Sequence, residues 1–195
     1  VIAPKNISLI YCPFDIFSKE SLNNKNLYLQ KKPYIAFIGN ISLNKGIHEL
    51  LEFMKILNKN KLNPIKLLFC GEYNDHIIDI PNDCEYLGSL ENIDAMKLLF
   101  GADLLILPSK SESHPRVIVE SIIYKTPFLM TRGVIELEKY FPKNMLENIE
   151  PNYIANRIDE TLKNDSDYLS NNYPIHLHKI DNVINYLFEV YNNLK

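Results

Sequence analysis

From Pro33 onward, short apolar runs alternate with stretches whose apolar residues recur every three or four positions, and few folds accommodate that rhythm. Tyr34-Ile35-Ala36-Phe37-Ile38, Ile65-Lys66-Leu67-Leu68-Phe69-Cys70, Cys84-Glu85-Tyr86-Leu87, residues 103–107 and Pro127-Phe128-Leu129-Met130 read as strands. Ile47, Leu50, Leu51, Met54 and Leu57 fall on one face of a helix over 46–57. Further helices are predicted over 93–100, 115–124, 153–162 and, as one long final helix, 175–194. Strands alternating with helices, and strands apolar on both sides, predict an α/β fold: a parallel sheet with helices on both faces. Ahead of this, Ser8-Leu9-Ile10-Tyr11 reads as a short strand broken by Pro13-Phe14-Asp15. The polar residues 18–32 read as a linker or exposed loop. The expected organisation is an inter-domain connection and linker over 1–32, one α/β domain over 33–174 and a C-terminal helix over 175–195.

The 195 residues suffice for one sizeable core. A formal net charge of −3 argues against a dedicated nucleic-acid binder, and the basic clusters at Lys31-Lys32 and 55–61 read as solvated surface. The three cysteines, Cys12, Cys70 and Cys84, form no Cys-x-x-Cys pair and are odd in number, which fits a reducing, cytoplasmic setting. No apolar stretch approaches the roughly 20 residues that span a bilayer, and no signal peptide is visible. The first residue is Val1 rather than methionine, as expected of a fragment or processed chain.

In open α/β sheets, ligands bind outside the carboxyl ends of the strands. Gly39, Gly71 and Gly88, three of only six glycines, directly follow strand runs. A residue without a Cβ there lets a ligand approach the backbone. The strand ending at Leu107 runs into Ser109-Lys110-Ser111-Glu112-Ser113-His114-Pro115-Arg116-Val117-Ile118-Val119-Glu120. Pro115 suits the first position of a helix, with Ser113 or His114 as its cap, and a helix N-terminus near Arg116 and Val117 favours phosphate. Glu112 would then lie in the loop and Glu120 two turns into the helix. On one helix the two would stand about 80° apart, so they do not read as a facing acid/base pair but as acceptors for ligand hydroxyls. Lys45 can reach a diphosphate over the first strand end as a point charge. Arg116 can pair with phosphate or with Glu120 one turn on. Asp165-Ser166-Asp167 lies in a polar segment away from any strand end and is not read as a metal site. His176 and His178 lack a third ligand nearby. Neither G-x-G-x-x-G nor G-x-x-x-x-G-K-[ST] occurs, which disfavours a nicotinamide or flavin site and an ordinary P-loop.

Taken in order, these segments resemble the C-terminal domain of GT-B glycosyltransferases, the retaining family 4 (glycosyltransferase group 1) in particular. Phe37-Ile38-Gly39-Asn40 with Lys45-Gly46 is similar to the family's Gly-Arg…Lys-Gly segment, Phe69-Cys70-Gly71-Glu72 to its second strand and turn, and Tyr86-Leu87-Gly88 to the strand whose end holds the base. Residues 102–109 resemble the strand before the glutamate motif, and Glu112 to Glu120 matches the Glu, seven residues, Glu signature. The resemblance implies the C-terminal, Rossmann-like half of a GT-B fold and a UDP- or GDP-linked sugar as donor substrate, transferred as a hexose to a polysaccharide or glycolipid. It implies that Lys45 and Glu112 act at the reacting centre. Lys45 would neutralise the diphosphate. Glu112 and the backbone of Ser113, His114, Pro115, Arg116 and Val117 would contact sugar and phosphates. Glu120 would accept from the ribose, and Leu87 would lie near the base. Gly39, Asn40 and Gly71 complete the expected donor site. No metal and no other cofactor is implied, because positive charge and a helix dipole stabilise the leaving group.

Two positions depart from the family's pattern. Asn40 stands where an arginine is usual, which removes one cation from the pyrophosphate, and His114 replaces a more usual aromatic residue. The alternatives to transfer are a GT-B-related epimerase, a phosphorylase, which would need pyridoxal phosphate, and a non-catalytic nucleotide-binding or regulatory α/β domain. GT-B enzymes carry the acceptor site on a second, N-terminal domain. This chain alone is therefore expected to bind donor weakly and to transfer nothing, and the full enzyme to be cytoplasmic with possible peripheral membrane contact.

Overall fold

In a computed structural model of the chain, residues 16–59, 64–73, 79–163 and 173–193 are described. The apolar runs become six strands: β1 (Tyr34–Ile38), β2 (Lys66–Cys70), β3 (Cys84–Tyr86), β4 (Leu104–Leu107), β5 (Phe128–Thr131) and β6 (Met145–Leu146). They form one sheet in the order β3-β2-β1-β4-β5-β6, every pairing parallel. Parallel neighbours need crossovers, and the periodic segments supply them. The helices are α1 (Lys19–Asn23), α2 (Ile47–Leu57), α3 (Asn92–Gly101), α4 (Arg116–Tyr124), α5 (Ile135–Tyr140), α6 (Pro151–Lys163) and α7 (Ile180–Asn193). α2 packs on α6, while α3 packs on α1 and α4. The central strands are accordingly buried along nearly their whole length, with Phe37, Phe69 and Phe128 fully inside.

The chain divides into two compact units, Phe17–Asn171 and a smaller one of Val1–Ile16 with Asn172–Lys195. The larger carries the sheet. Residues 18–32 are not the loop their polarity suggests. Ser18 caps α1 by accepting the Ser21 N–H at 3.2 Å. Asn26 caps a 3-10 turn over Leu27–Lys31 by accepting the Tyr28 N–H. The segment is held by one apolar anchor, Leu22, which is fully buried. Asn26 adds two hydrogen bonds, its amide donating to the Leu22 and Lys97 carbonyls at 3.0 and 2.9 Å. A single buried leucine leaves no periodicity to read, whereas side-chain caps need only one residue each.

The final helix is also not continuous. It opens as a 3-10 turn, Ile175–His178; Lys179 is extended at ψ 135°, and α7 starts only at Ile180. Within this smaller unit the Tyr173 hydroxyl lies 2.9 Å from His178 Nε2. The expected strand over 8–11, Cys12 and Asp165-Ser166-Asp167 lie outside the described residues. β6 and α5 went unforeseen, being two and six residues long. Among the described residues no helix is long and apolar enough to cross a membrane.

Candidate functional site

The strand order reverses between β1 and β4: the chain proceeds from β1 outward to β2 and β3, then returns to β4 and runs the other way to β5 and β6. Loops leaving two such strands diverge to opposite sides and open a crevice at their carboxyl ends. A cleft of 670 Å³ lies there. Ile38, Gly39 and Asn40 from the end of β1, and Leu107 from the end of β4, line it. So do Lys45, the segment Glu112, His114, Pro115, Arg116 and Val117, and Glu120 inside α4.

Two loops meet to make this wall. Lys45 ends a 3-10 turn, Leu43–Lys45, and α2 begins after Gly46. Gly46 holds the left-handed conformation at φ +75°, and a Cβ on it would run into the Pro108 carbonyl oxygen. Glycine meets both demands, the positive φ and the close approach. The Lys110 N–H donates to the Asn44 carbonyl at 2.8 Å, and Lys110 Nζ lies 3.2 Å from Glu49 Oε1 on α2. The lysine loop is thereby clamped to the glutamate loop, and Lys45 Nζ reaches Glu112 Oε1 at 2.6 Å. The pair is largely shielded, with 29% of the lysine and 11% of the glutamate side chain exposed. Shielding strengthens their attraction and raises the cost of leaving either one alone.

Pro115 proves to be the N-cap of α4, at φ −73° and ψ 108°, rather than its first helical residue. Ser113 and His114 therefore do not cap. Proline offers no side-chain acceptor, so the N-terminal partial charge of α4 is left facing the cleft that Arg116 and Val117 line. Glu120 is 9% exposed, and burial pushes its carboxyl above the usual range, against the opposing pull of the Arg116 guanidinium.

Ser113, Gly71 and Leu87 do not line the cleft. Ser113 is exposed beside it. Gly71 acts one layer behind: its Cβ would strike the Gly39 carbonyl, so the bare Cα lets the ends of β1 and β2 close up. The Leu87 N–H donates to the Phe69 carbonyl at 2.9 Å, which continues the sheet past β3. The far wall comes instead from Leu90 and from Asn92, Ala95 and Met96 on the first turns of α3. The only sequence cue to these was that α3 starts shortly after Gly88. Among the described residues no group of three or more His, Cys, Asp or Glu is arranged to hold a metal ion.

Comparison with known proteins agrees with this architecture. Over 104 residues, 49% of this chain and 24% of its partner, it is 28% identical to the Bacillus subtilis (strain 168) protein named "Putative teichuronic acid biosynthesis glycosyltransferase TuaC". The Anabaena HepE structure in complex with UDP and glucose superposes with a TM-score of 0.73 at 15% identity, covering 95% of this chain and 57% of that one. The C-terminal domain of the group 1 glycosyltransferase LpcC from Francisella tularensis superposes with a TM-score of 0.59 at 16% identity, covering 93% and 96%. The chain thus spans a quarter of TuaC and somewhat more than half of HepE. The fold is that of a GT-B glycosyltransferase domain. The model of the family "Glycosyl transferases group 1" matches residues 18–173, and this chain belongs to that family.

Proposed function

We propose that the cleft binds a nucleotide sugar, UDP- or GDP-linked, and that the chain is the donor-binding part of a retaining glycosyltransferase. The observation that carries the reading is the meeting of the α4 N-terminus, Lys45 and Glu112 on one cleft at the point where the strand order reverses. A diphosphate at that place receives the helix dipole and the lysine charge. Glu112 is positioned to accept sugar hydroxyls and Glu120 ribose hydroxyls, while Leu90, Ala95 and Met96 offer an apolar wall to the base. As the sugar–phosphate bond breaks, charge accumulates on the diphosphate. The same cation and dipole stabilise it, and the chemistry calls for no metal. HepE, with its bound UDP and glucose, supports a ligand of this class.

The wider reading is a hexose transferred to a polysaccharide or glycolipid acceptor, with the acceptor held by a second domain of the whole protein. The full enzyme would work in the cytoplasm, in peripheral contact with a membrane where the acceptor is lipid-linked. Calorimetric titration of the chain with UDP, GDP and ADP, repeated on Glu120→Ala, tests the donor site. Selective binding of UDP or GDP, weakened by the substitution, is the expected result. Failure of all three to bind a folded chain at millimolar concentration counts against the reading.

A further inference from the structure

The lysine of the cleft is already paired with an acid: Lys45 Nζ sits 2.6 Å from Glu112 Oε1. A diphosphate that draws on Lys45 therefore competes with Glu112. If it takes the lysine, it leaves a carboxylate that is only 11% exposed, without its cation and beside a new anion. Both consequences oppose binding. The loops cannot relieve the conflict by parting, because Gly46 is packed on Pro108 and Lys110 ties the glutamate loop to Asn44 and Glu49. A ligand that also brings hydroxyl donors escapes this cost: they hydrogen-bond to Glu112 as the lysine turns to the phosphates.

We propose that the Lys45–Glu112 ion pair makes the cleft discriminate between an intact nucleotide sugar and the free nucleoside diphosphate, holding the first more tightly than the second. The proposal rests on the nucleotide-sugar reading above. Under that reading the free diphosphate is what remains after transfer, so Glu112 displaces the product: it takes Lys45 back once the sugar hydroxyls are gone. Glu112 is then a specificity residue for the ligand's covalent state, in addition to any contact it makes with the sugar.

The test titrates the full chain with UDP and with UDP-glucose (GDP and GDP-mannose if the base proves to be guanine). The proteins are the parent chain, Glu112→Gln, Lys45→Met and the double variant, each with its fold checked by circular dichroism. Removing the competing charge should tighten free-diphosphate binding about fivefold or more, the size expected of a partly shielded pair. The nucleotide sugar should not tighten, so the preference for it collapses. In the Lys45→Met background Glu112→Gln should tighten the diphosphate less, because only the repulsion between carboxylate and phosphate is then relieved; the difference is the coupling a double-mutant cycle isolates. Unchanged or weakened diphosphate binding in Glu112→Gln overturns the proposal. So does equal tightening of both ligands, or tightening that is undiminished without Lys45. Should Glu112→Gln not fold, Glu112→Ser carries the same expectations. Absence of any nucleotide binding by the parent chain is a different failure, that of the donor-site reading itself, and the proposal falls with it.

Discussion

Alanine at Gly46, with alanine at Gly88 as its control, measures how tightly the two site-forming loops are joined. Both glycines hold φ +75°, so alanine meets the same left-handed backbone cost in each, about 1–2 kcal/mol. A stiffer unfolded chain returns about 0.4–1 kcal/mol in both cases. At Gly88 a Cβ meets nothing within 4 Å, so those two contributions are the whole effect and the net loss is about 0.5–1 kcal/mol. At Gly46 the same atom lands on the Pro108 carbonyl oxygen, with Pro108 Cγ at 3.0 Å. The obstacle is largely backbone, which cannot rotate away, and overpacking of this kind adds about 1–3 kcal/mol. Urea denaturation followed by circular dichroism gives both losses, compared at unchanged m. Gly46→Ala should exceed Gly88→Ala by about 1–3 kcal/mol and should also alter nucleotide affinity, because Lys45 adjoins the displaced residue. Equal losses would refute the claim that the start of α2 and the loop after β4 are in contact at Pro108.

Three other perturbations have definite signs. Burial raises the Glu120 carboxyl, so the folded chain holds its proton more tightly than the unfolded one; the associated stability is present below the ordinary carboxylate range and is lost as pH rises through the raised value. Glu120→Gln should therefore melt higher than the parent chain at neutral pH and equally near pH ~3, while binding UDP or GDP less well; an equal melting temperature at both pH values would sink this. Asn40→Arg should tighten the diphosphate roughly tenfold by adding a charge-assisted hydrogen bond, and unchanged affinity in calorimetry would place Asn40 away from the phosphates. Phe69→Ala, in the fully buried middle of the sheet, should cost about 3–5 kcal/mol in the same urea assay, and a loss below 1 kcal/mol would contradict its packing.

The sheet was legible because its strands are buried on both faces, and such strands announce themselves as unbroken apolar runs. Leu104 to Leu107, for example, is buried at all four positions. Helices with a strong apolar stripe, α2 and α6, were equally plain. What escaped is held by means that leave little trace in hydropathy. α1 depends on Leu22 and a serine cap, and β6 is a two-residue pairing with β5. The near wall of the cleft was readable because Lys45 and Glu112 are charged residues in the loops after strand ends and Glu120 is a charge inside the apolar run of α4, places where charge calls for a reason. The far wall was not. Ala95 and Met96 look like any residues on the buried side of α3, and they reach the cleft only because β3 to β4 crosses back over the sheet. Leu87 looked closer in sequence, but its backbone is engaged in extending the sheet.

Glu120 is the strongest sign that this cleft has a ligand. Its neighbours Ile118, Val119, Ser121 and Ile122 are all buried, and the pattern of α4 at that point would be satisfied by valine or leucine. A carboxylate there costs stability at neutral pH, as the upward displacement of its titration states in another form. A largely buried acid whose carboxyl burial disfavours, lining the same cleft as Lys45 and Glu112, makes sense when a ligand supplies hydrogen-bond donors to it. A purely structural account of the cleft explains Lys45 and Glu112 as a salt bridge and Arg116 as helix surface. It has no place for Glu120, and the melting comparison of Glu120→Gln at neutral and acid pH decides between the two accounts.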